Sequence, residues 1–167
     1  TVFGVGYDLA ATPPSADNPD PDATSRTKIG RMPDGRYIVV HNSSVQDTPA
    51  GVERFIRNNA SQDGKDAIIS LPQDPGQAGK SQVKALTLML SGYTVRSSTE
   101  TGDKVTRFGP FSAQVEAGNV DVLWGDWNEA WFTQLESFPS AKHDDHVDST
   151  SRAFEVVALD VKTGWFL

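Results

Sequence analysis

The sequence predicts an α/β fold in which helices flank a mixed central sheet of five or more strands. Three consecutive strand-like segments open the chain, a pattern that is typical of an antiparallel meander. Strand-like and helix-like segments then alternate, which favours parallel strands added to the same sheet. The length of 167 residues suits one domain over 1–167, with room for a short tail in the last few residues.

Composition excludes several classes of protein. Hydrophobic residues make up 37% of the chain and charged residues 22%, which is ordinary for a globular domain and excludes a disordered or collagen-like chain. No apolar run approaches the roughly 18 residues that a membrane-spanning helix needs. Cysteine is absent, which excludes disulfides, thiolate metal sites and cysteine nucleophiles.

The net charge of −7 is concentrated toward the C-terminus. Residues 119–167 contain 9 acidic and 3 basic side chains. Such acidity is not typical of a nucleic-acid-binding surface, and it indicates either a solvated face or carboxylates that need a cation. Because the chain begins at Thr1 rather than at Met, we expect either a mature domain or a domain excised from a longer protein.

The first predicted strands surround a long loop. Residues 1–9 alternate apolar and small side chains, which predicts a strand. Residues 10–25 are rich in Pro, Asp and Ser, and form a loop long enough to indicate a function. Two further strands are predicted over 27–31 and 37–45, and Pro33-Asp34-Gly35 between them has the composition of a hairpin turn.

Helices and strands alternate in the rest of the chain. Thr48 is the expected N-cap of a helix that ends near Asn59. The apolar run over 66–71 predicts a buried strand that Pro72 ends, and 78–90 predicts the next helix. A strand over 93–98, a helix over 103–117, an extended segment over 120–124 and helices over 127–138 and 144–160 complete the prediction.

Asp8 is a charged residue among apolar neighbours at the end of the first predicted strand. Buried carboxylates are usually paired or metal-bound, because an isolated buried charge is costly. The alternative is an aspartate that only caps the turn after the strand.

Asp74 follows the strand predicted over 66–71. Gly79 and Lys80 after it suggest a phosphate-binding loop, but Asp74 stands where that motif requires its first glycine, which excludes a nucleotide P-loop. Asp74 is therefore either a turn residue before Pro75 or a metal ligand at a strand end.

The segment from His143 to Asp148 is the densest group of metal-ligand side chains. Asp145 and Asp148 lie three residues apart and share one face of the last predicted helix. Helix capping by Asp144 or Asp145 is the simpler interpretation, but it does not account for Asp148. Carboxylates this close repel each other unless they are protonated or bridged by a cation, and oxygen ligands favour Mg²⁺ or Mn²⁺ over Zn²⁺.

These acids can converge if the first strand is central in the sheet. Two divalent ions about 4 Å apart, held by carboxylates, activate water and stabilise the leaving oxygen in phosphodiester hydrolysis. The sequence therefore predicts a metal-dependent hydrolase of phosphodiesters.

Five stretches of this sequence resemble the C-terminal nuclease domain of the large terminase subunit of tailed bacteriophages. They are GYDLAAT, DATSRTKIGRMPDGRYIVVH, LPQDPGQAGKS, TGDKVTRFGPFSAQVEAGNV and WFTQLESFPSAKHDDHVDSTSRAF, in the family's order and over nearly the whole chain. The resemblance implies a ribonuclease H-like fold of the resolvase and integrase type. It also implies an endonuclease that cuts concatemeric viral DNA during genome packaging, with two bound Mg²⁺ or Mn²⁺ ions.

The resemblance implies the following site residues. Asp8, Asp74 and Asp145 match the catalytic metal ligands, and Asp144 and Asp148 match further acids of the same site. Many relatives carry the second acid directly at the strand end, where this chain has Leu71-Pro72-Gln73, so Asp74 is the nearest candidate. Four basic residues are expected to contact the DNA backbone, with a solvated surface as the alternative: Lys80, Lys84, Lys104 and Arg107.

The partners implied by the resemblance are double-stranded DNA, an ATPase motor domain that precedes this one, the portal and the small terminase subunit. The expected location is the host cell cytoplasm, with no contact with a membrane. A junction resolvase, another ribonuclease H-like nuclease and a non-catalytic domain that binds packaging partners are the competing hypotheses.

Overall fold

The computed structural model of the chain describes the backbone of residues 1–164 and the side chains of residues 1–159. Six strands lie in this part: β1 (Val2–Asp8), β2 (Thr24–Arg31), β3 (Tyr37–Val45), β4 (Ile68–Gln73), β5 (Thr94–Thr99) and β6 (Val120–Val122). Five helices accompany them: α1 (Pro49–Asp63), α2 (Gln77–Met89), α3 (Lys104–Glu116), α4 (Asn128–Ser137) and α5 (Asp145–Gly164). The short tail expected in the last few residues lies outside the described residues.

The six strands form one mixed sheet in the order β5-β4-β1-β2-β3-β6. β1, β2 and β3 pair antiparallel, as the meander predicted. β4 pairs parallel with β1, β5 with β4, and β6 with β3. This confirms the predicted α/β fold, and it places β1 in the interior of the sheet between β4 and β2. None of the described helices is both long and apolar enough to cross a membrane.

Two hydrophobic clusters cover the two faces of the sheet. One joins β1 and β4 to α1 and α2, and its fully buried members include Val5, Ile56 and Leu71. The other joins β2 and β3 to α3, α4 and α5 around Phe111 and Trp131. The molecule is therefore a three-layer α/β/α domain, and α5 lies across the middle of the sheet.

The bounds of two strands, β2 and β4, differ from the prediction. β2 begins at Thr24, which pairs with Val45, so it includes the last residues of the loop predicted over 10–25. Pro72 lies inside β4 rather than ending it. A proline is tolerated there because the pairing of β4 with β1 stops at Ser70, and only the β5 side of the strand continues.

β1 carries a glycine where α5 crosses it. Val5 and Tyr7 belong to the cluster under α1 and α2, whereas Gly6 faces α5, because alternate residues of a strand point to opposite faces. A methyl group on Gly6 would collide with the backbone of Ser149 and Ala153. The backbone of α5 therefore lies directly on β1, which brings the first turns of α5 close to the end of that strand.

We expect Gly6→Ala to lower the free energy of unfolding by about 3 kcal/mol, because backbone atoms cannot move aside as a flexible side chain can. The matched control is Ser81→Ala in α2, because Ser81 is exposed and alanine is a better helix former than serine. That change should leave stability equal or raise it by about 0.5 kcal/mol. Urea unfolding followed by circular dichroism measures both variants, and a Gly6→Ala variant as stable as wild type would contradict the packing described here.

Candidate metal centre

Three carboxylates meet at one edge of the sheet. β1 and β5 both run parallel to β4, so their C-terminal ends lie at the same edge. Asp8 is the last residue of β1, Glu100 directly follows β5, and Asp148 lies in the first turn of α5. Oxygen atoms of these three side chains lie within 4.8 Å of one another, and Asp148 is buried while Asp8 is half-buried.

Burial and the neighbouring carboxylates both shift the pKa of Asp8. Burial raises the pKa of Asp8 to about 8, and the nearby carboxylates of Asp148 and Asp145 contribute to that rise, while Lys104 opposes it. Asp8 thus holds a proton at neutral pH when no cation bridges the acids. A buried carboxylate beside other carboxylates is one that a divalent cation would stabilise.

Helix α3 supplies two cations to the same acids. The Lys104 ammonium lies 2.8 Å from Oδ2 of Asp148 and 2.7 Å from Oδ1 of Asp144. The Arg107 guanidinium lies 3.2 Å from Oδ1 of Asp148 and 3.3 Å from Oε2 of Glu100. Although partial burial lowers it, these ion pairs on balance raise the pKa of Lys104, so the side chain stays charged. Both oxygens of Asp148 therefore contact a cationic side chain.

A buried arginine of α5 holds the ends of β4 and β5. One terminal nitrogen of Arg152 donates to Oγ of Ser98 at 3.0 Å and to the carbonyl of Leu71 at 3.1 Å. The other terminal nitrogen lies 3.6 Å from Oε1 of Glu100. Because Arg152 is only 6% exposed, it links the two strand ends from inside the protein and sets the position from which Glu100 extends. A cavity of about 380 Å³ opens beside these groups.

A second group of ligand-type side chains lies at the other side of the α5 N-terminus. Carboxylate oxygens of Asp22 and Asp145 and a ring nitrogen of His143 lie within 4.8 Å of one another. The backbone N–H of Ala23 donates to Asp145 at 3.2 Å, and burial raises the pKa of Asp145. The hydrogen bond between His143 and Asp20, 2.6 Å long, raises the pKa of His143. Asp145 thus ties the loop before β2 to the start of α5.

The predicted acids are therefore distributed over several environments. Asp8 and Asp148 meet directly, whereas Asp145 contacts the loop group and influences Asp8 through its charge. Asp144 pairs with Lys104. Asp74 is exposed in the loop after β4 and belongs to neither group of ligand atoms among the described residues.

The predicted basic residues also separate into two sets. Lys80 and Lys84 are exposed on α2. Lys104 and Arg107 instead form ion pairs with the acids of the site. Of the four, only the pair on α3 lies at the carboxylates.

Glu100 was not identified from the sequence. The one signal that the sequence carries is that an acid closely follows a predicted strand, which resembles the signal that singled out Asp8. Arg152 was also missed, because a lone arginine within a helix has no local pattern that separates it from a surface residue.

The donor set fits a hard divalent cation. All three facing side chains are carboxylates, which Mg²⁺ and Mn²⁺ prefer. Metal–oxygen bonds of about 2.0–2.2 Å place opposite ligands of one ion a little over 4 Å apart, so the observed separations suit a shared ion with small adjustments. Such an arrangement can hold a metal ion against a phosphate and activate water.

The fold has counterparts among solved structures. The large terminase nuclease from thermophilic phage G20c, solved with bound zinc, superposes with a TM-score of 0.67 at 14% identity, covering 92% of this chain and 80% of that one. The Holliday junction resolvase of fowlpox virus superposes with a TM-score of 0.58 at 11% identity, covering 94% and 98% of the two chains. The yeast mitochondrial Holliday junction resolvase gives 0.55 at 13% identity, covering 90% and 76%. These similarities show a shared fold.

Comparison of sequences identifies the family of this chain, which the similarity of fold alone does not. No protein of curated function matches the chain by sequence. The sequence model of the terminase RNase H-like domain, in contrast, matches residues 5–156, which include part of β1, all the other strands and the acids described above. The chain therefore belongs to the terminase RNase H-like domain family.

Proposed function

We propose that this domain is a metal-dependent DNA endonuclease that cuts concatemeric viral DNA during genome packaging. The observation that supports it is the meeting of Asp8, Glu100 and Asp148, where the C-terminal ends of β1 and β5 lie beside the first turn of α5. Ribonuclease H-like nucleases of this family provide the chemical context.

We assign the acids to two Mg²⁺ or Mn²⁺ ions. Asp8, Glu100 and Asp148 would hold the first ion, because their oxygens already face one another. Asp145 and Asp74 are proposed for the second ion together with Asp8, and they complete the catalytic set expected from the family. Asp144 serves as the partner that positions Lys104.

The bound ions would supply an activated water and stabilise the leaving oxygen of the phosphodiester. The rest of the chemistry belongs to the side chains. Asp8 and Asp148 would hold the ions at the place where the phosphate reacts. Lys104 and Arg107 place positive charge at the same edge, where it can contact a phosphate, and Lys80 and Lys84 extend the contact along α2.

The partners of this domain follow from the same proposal. Double-stranded DNA is the substrate, and an ATPase motor domain N-terminal to this one would move it past the site. The portal and the small terminase subunit are the proposed assembly partners in the host cell cytoplasm. The acidic net charge of −7 agrees with a domain that relies on cations and on a motor to hold the duplex.

Supercoiled plasmid incubated with the purified domain and Mn²⁺ tests the activity. We expect nicked and linear products that disappear with EDTA. Intact plasmid at high protein concentration would reject the nuclease function and favour a non-catalytic domain that binds packaging partners.

A junction resolvase is the second candidate, because the fowlpox resolvase covers 94% of this chain at a TM-score of 0.58. The two functions differ in substrate. A four-way junction and a linear duplex of equal length, supplied in competition, separate them. Preferential cutting of the linear duplex supports the packaging nuclease, whereas strong preference for the junction supports the resolvase.

The elevated pKa of Asp8 predicts that metal binding depends on pH. Since the pKa is about 8 in the absence of metal, a proton competes with the ion for this carboxylate at lower pH. The apparent affinity for Mn²⁺ should rise about tenfold per pH unit between pH 6 and 8 and level off above that range. Isothermal titration calorimetry in buffers of different ionisation enthalpy measures both the affinity and the proton released. An affinity that does not change over this range would show that Asp8 is not a ligand.

A further inference from the structure

Both oxygens of Asp148 already interact with positive side chains. Lys104 contacts Oδ2 at 2.8 Å, and Arg107 contacts Oδ1 at 3.2 Å. A divalent ion bound to Asp148 would lie within a few ångströms of at least one of these positive groups, and like charges at that distance repel strongly. A metal ion that binds Asp148 therefore competes with at least one of the two ion pairs.

Lys104 is the side chain that can leave more easily. Its side chain is 40% exposed, and its compact ammonium sits on a flexible four-carbon stem. Arg107 is only 20% exposed and is held by two further contacts, a hydrogen bond of 2.7 Å to the carbonyl of Gly102 and the ion pair with Glu100. Opening the Lys104 pairs thus disturbs less of the surrounding structure.

We infer that Lys104 is an internal counter-cation of the carboxylates, which an incoming divalent ion displaces, and that the released ammonium then binds a phosphate of the DNA. This inference rests on the proposed function. It makes metal loading and DNA binding mutually dependent, because the ammonium of Lys104 is freer to pair with a phosphate once it has left Asp148.

The displaced lysine has a suitable destination. Lys104 is the first residue of α3, and its ammonium contacts Asp148, which lines the cavity together with Glu100 and Arg107. A side chain that turns outward from this position carries its charge toward solvent at the same edge of the sheet. A phosphate backbone lying over the carboxylates would receive it there.

The first experiment compares Mn²⁺ binding by wild type, Lys104→Met and Lys65→Met in calorimetry at 150 mM salt. Methionine keeps most of the length of the side chain and removes its charge. Lys65 is an exposed lysine at the opposite edge of the sheet, so its variant controls for the change in net charge. We expect Lys104→Met to bind Mn²⁺ about tenfold more tightly than the other two proteins, since the two ion pairs of Lys104 no longer compete with the metal.

The second experiment uses wild type alone and so does not depend on the folding of a variant. Lysines are acetylated with acetic anhydride, and the modified positions are quantified by mass spectrometry. Addition of Ca²⁺ should raise the labelling rate of Lys104 severalfold and leave Lys65 unchanged, and DNA added with Ca²⁺ should protect Lys104 again.

The outcomes separate the inference from the proposed function. Equal Mn²⁺ affinity of Lys104→Met and wild type, with no change in Lys104 labelling, would overturn the inference even if plasmid is cut. Tighter Mn²⁺ binding by Arg107→Met but not by Lys104→Met would overturn it as well, because the metal ion would then displace Arg107 and not Lys104. Absence of Mn²⁺ binding in all variants would reject the metal site, and with it both proposals.

Discussion

An Asp8→Asn variant should lose DNA cleavage by at least about a thousandfold while its thermal stability rises. The loss is expected because Asp8 faces the other carboxylates from the end of the central strand and would be shared by both metal ions. The gain is expected because asparagine removes the charge that burial and the neighbouring acids disfavour. A substitution at an ordinary surface position would seldom lower activity and raise stability at the same time.

The gain in stability has a defined pH dependence. The pKa of Asp8 is about 8 in the folded protein, whereas the ordinary value for an aspartate in an unfolded chain is 3.8. Between about pH 4 and pH 8 the unfolded state therefore binds fewer protons at Asp8, and the contribution of Asp8 to the free energy of unfolding falls as pH rises. The advantage of Asp8→Asn should be near zero at pH 4 and greatest at pH 8 and above.

Thermal unfolding in EDTA at pH 5 and pH 8, together with plasmid cleavage in Mn²⁺, measures both effects. Asp66→Asn is the matched control, because Asp66 is exposed at the opposite edge of the sheet and precedes β4. If the Asp8→Asn variant cleaves at the wild-type rate, Asp8 is not part of the catalytic site. A melting temperature that falls equally at both pH values would contradict the electrostatic account.

Glu100→Gln and Asp74→Asn should have different effects, and the difference identifies the second acid of the site. Glu100 already faces Asp8 and Asp148, so its loss should weaken Mn²⁺ binding by about 100-fold and reduce cleavage with it. Asp74 is exposed and outside both ligand groups, so its loss should leave the tighter Mn²⁺ site intact. If Asp74 holds the second ion as proposed, cleavage of DNA should still fall.

Calorimetric titration with Mn²⁺ and single-turnover cleavage separate binding from chemistry in these variants. Glu116→Gln, an exposed glutamate at the other end of α3, controls for the loss of one negative charge. Unchanged Mn²⁺ affinity in Glu100→Gln combined with a large loss in Asp74→Asn would reverse the assignment. The acid after β4 would then be the ligand, and Glu100 would act only as the partner of Arg107 and Arg152.

The elements of the fold could be predicted because their signals are local. Alternating side chains predicted β1 almost to the residue, and Thr48 before Pro49 marked the start of α1, where its side chain accepts a hydrogen bond from the N–H of Gly51. Some boundaries differ from the prediction: α1 continues past Asn59 to Asp63, where Gly64 is the C-cap, and β4 continues past Leu71 for a tertiary reason. Pro72 stays in β4 because β1 has stopped pairing there, which no pattern within the strand reveals.

The acids could be predicted in part. Asp8 and Asp148 stood out because each is an acid in an otherwise apolar or helical context, and the structure brings them together. Helical spacing places Asp145 on the same face as Asp148. The carboxylate of Asp145 nevertheless accepts a hydrogen bond from the N–H of Ala23, in the loop before β2. Spacing along a helix predicts which way a side chain points, but not which distant segment lies there.

By itself, the sequence determined the α/β class, the antiparallel start of the sheet, the family and an acid at the end of the first strand. Only the tertiary structure decided that Glu100 completes the group and that Lys104 and Arg107 occupy both oxygens of Asp148. The reason is the strand order β5-β4-β1, which places residues 92 positions apart at one edge of the sheet. The order of strands decides which distant side chains meet across a sheet, and the sequence around each residue does not reveal that order.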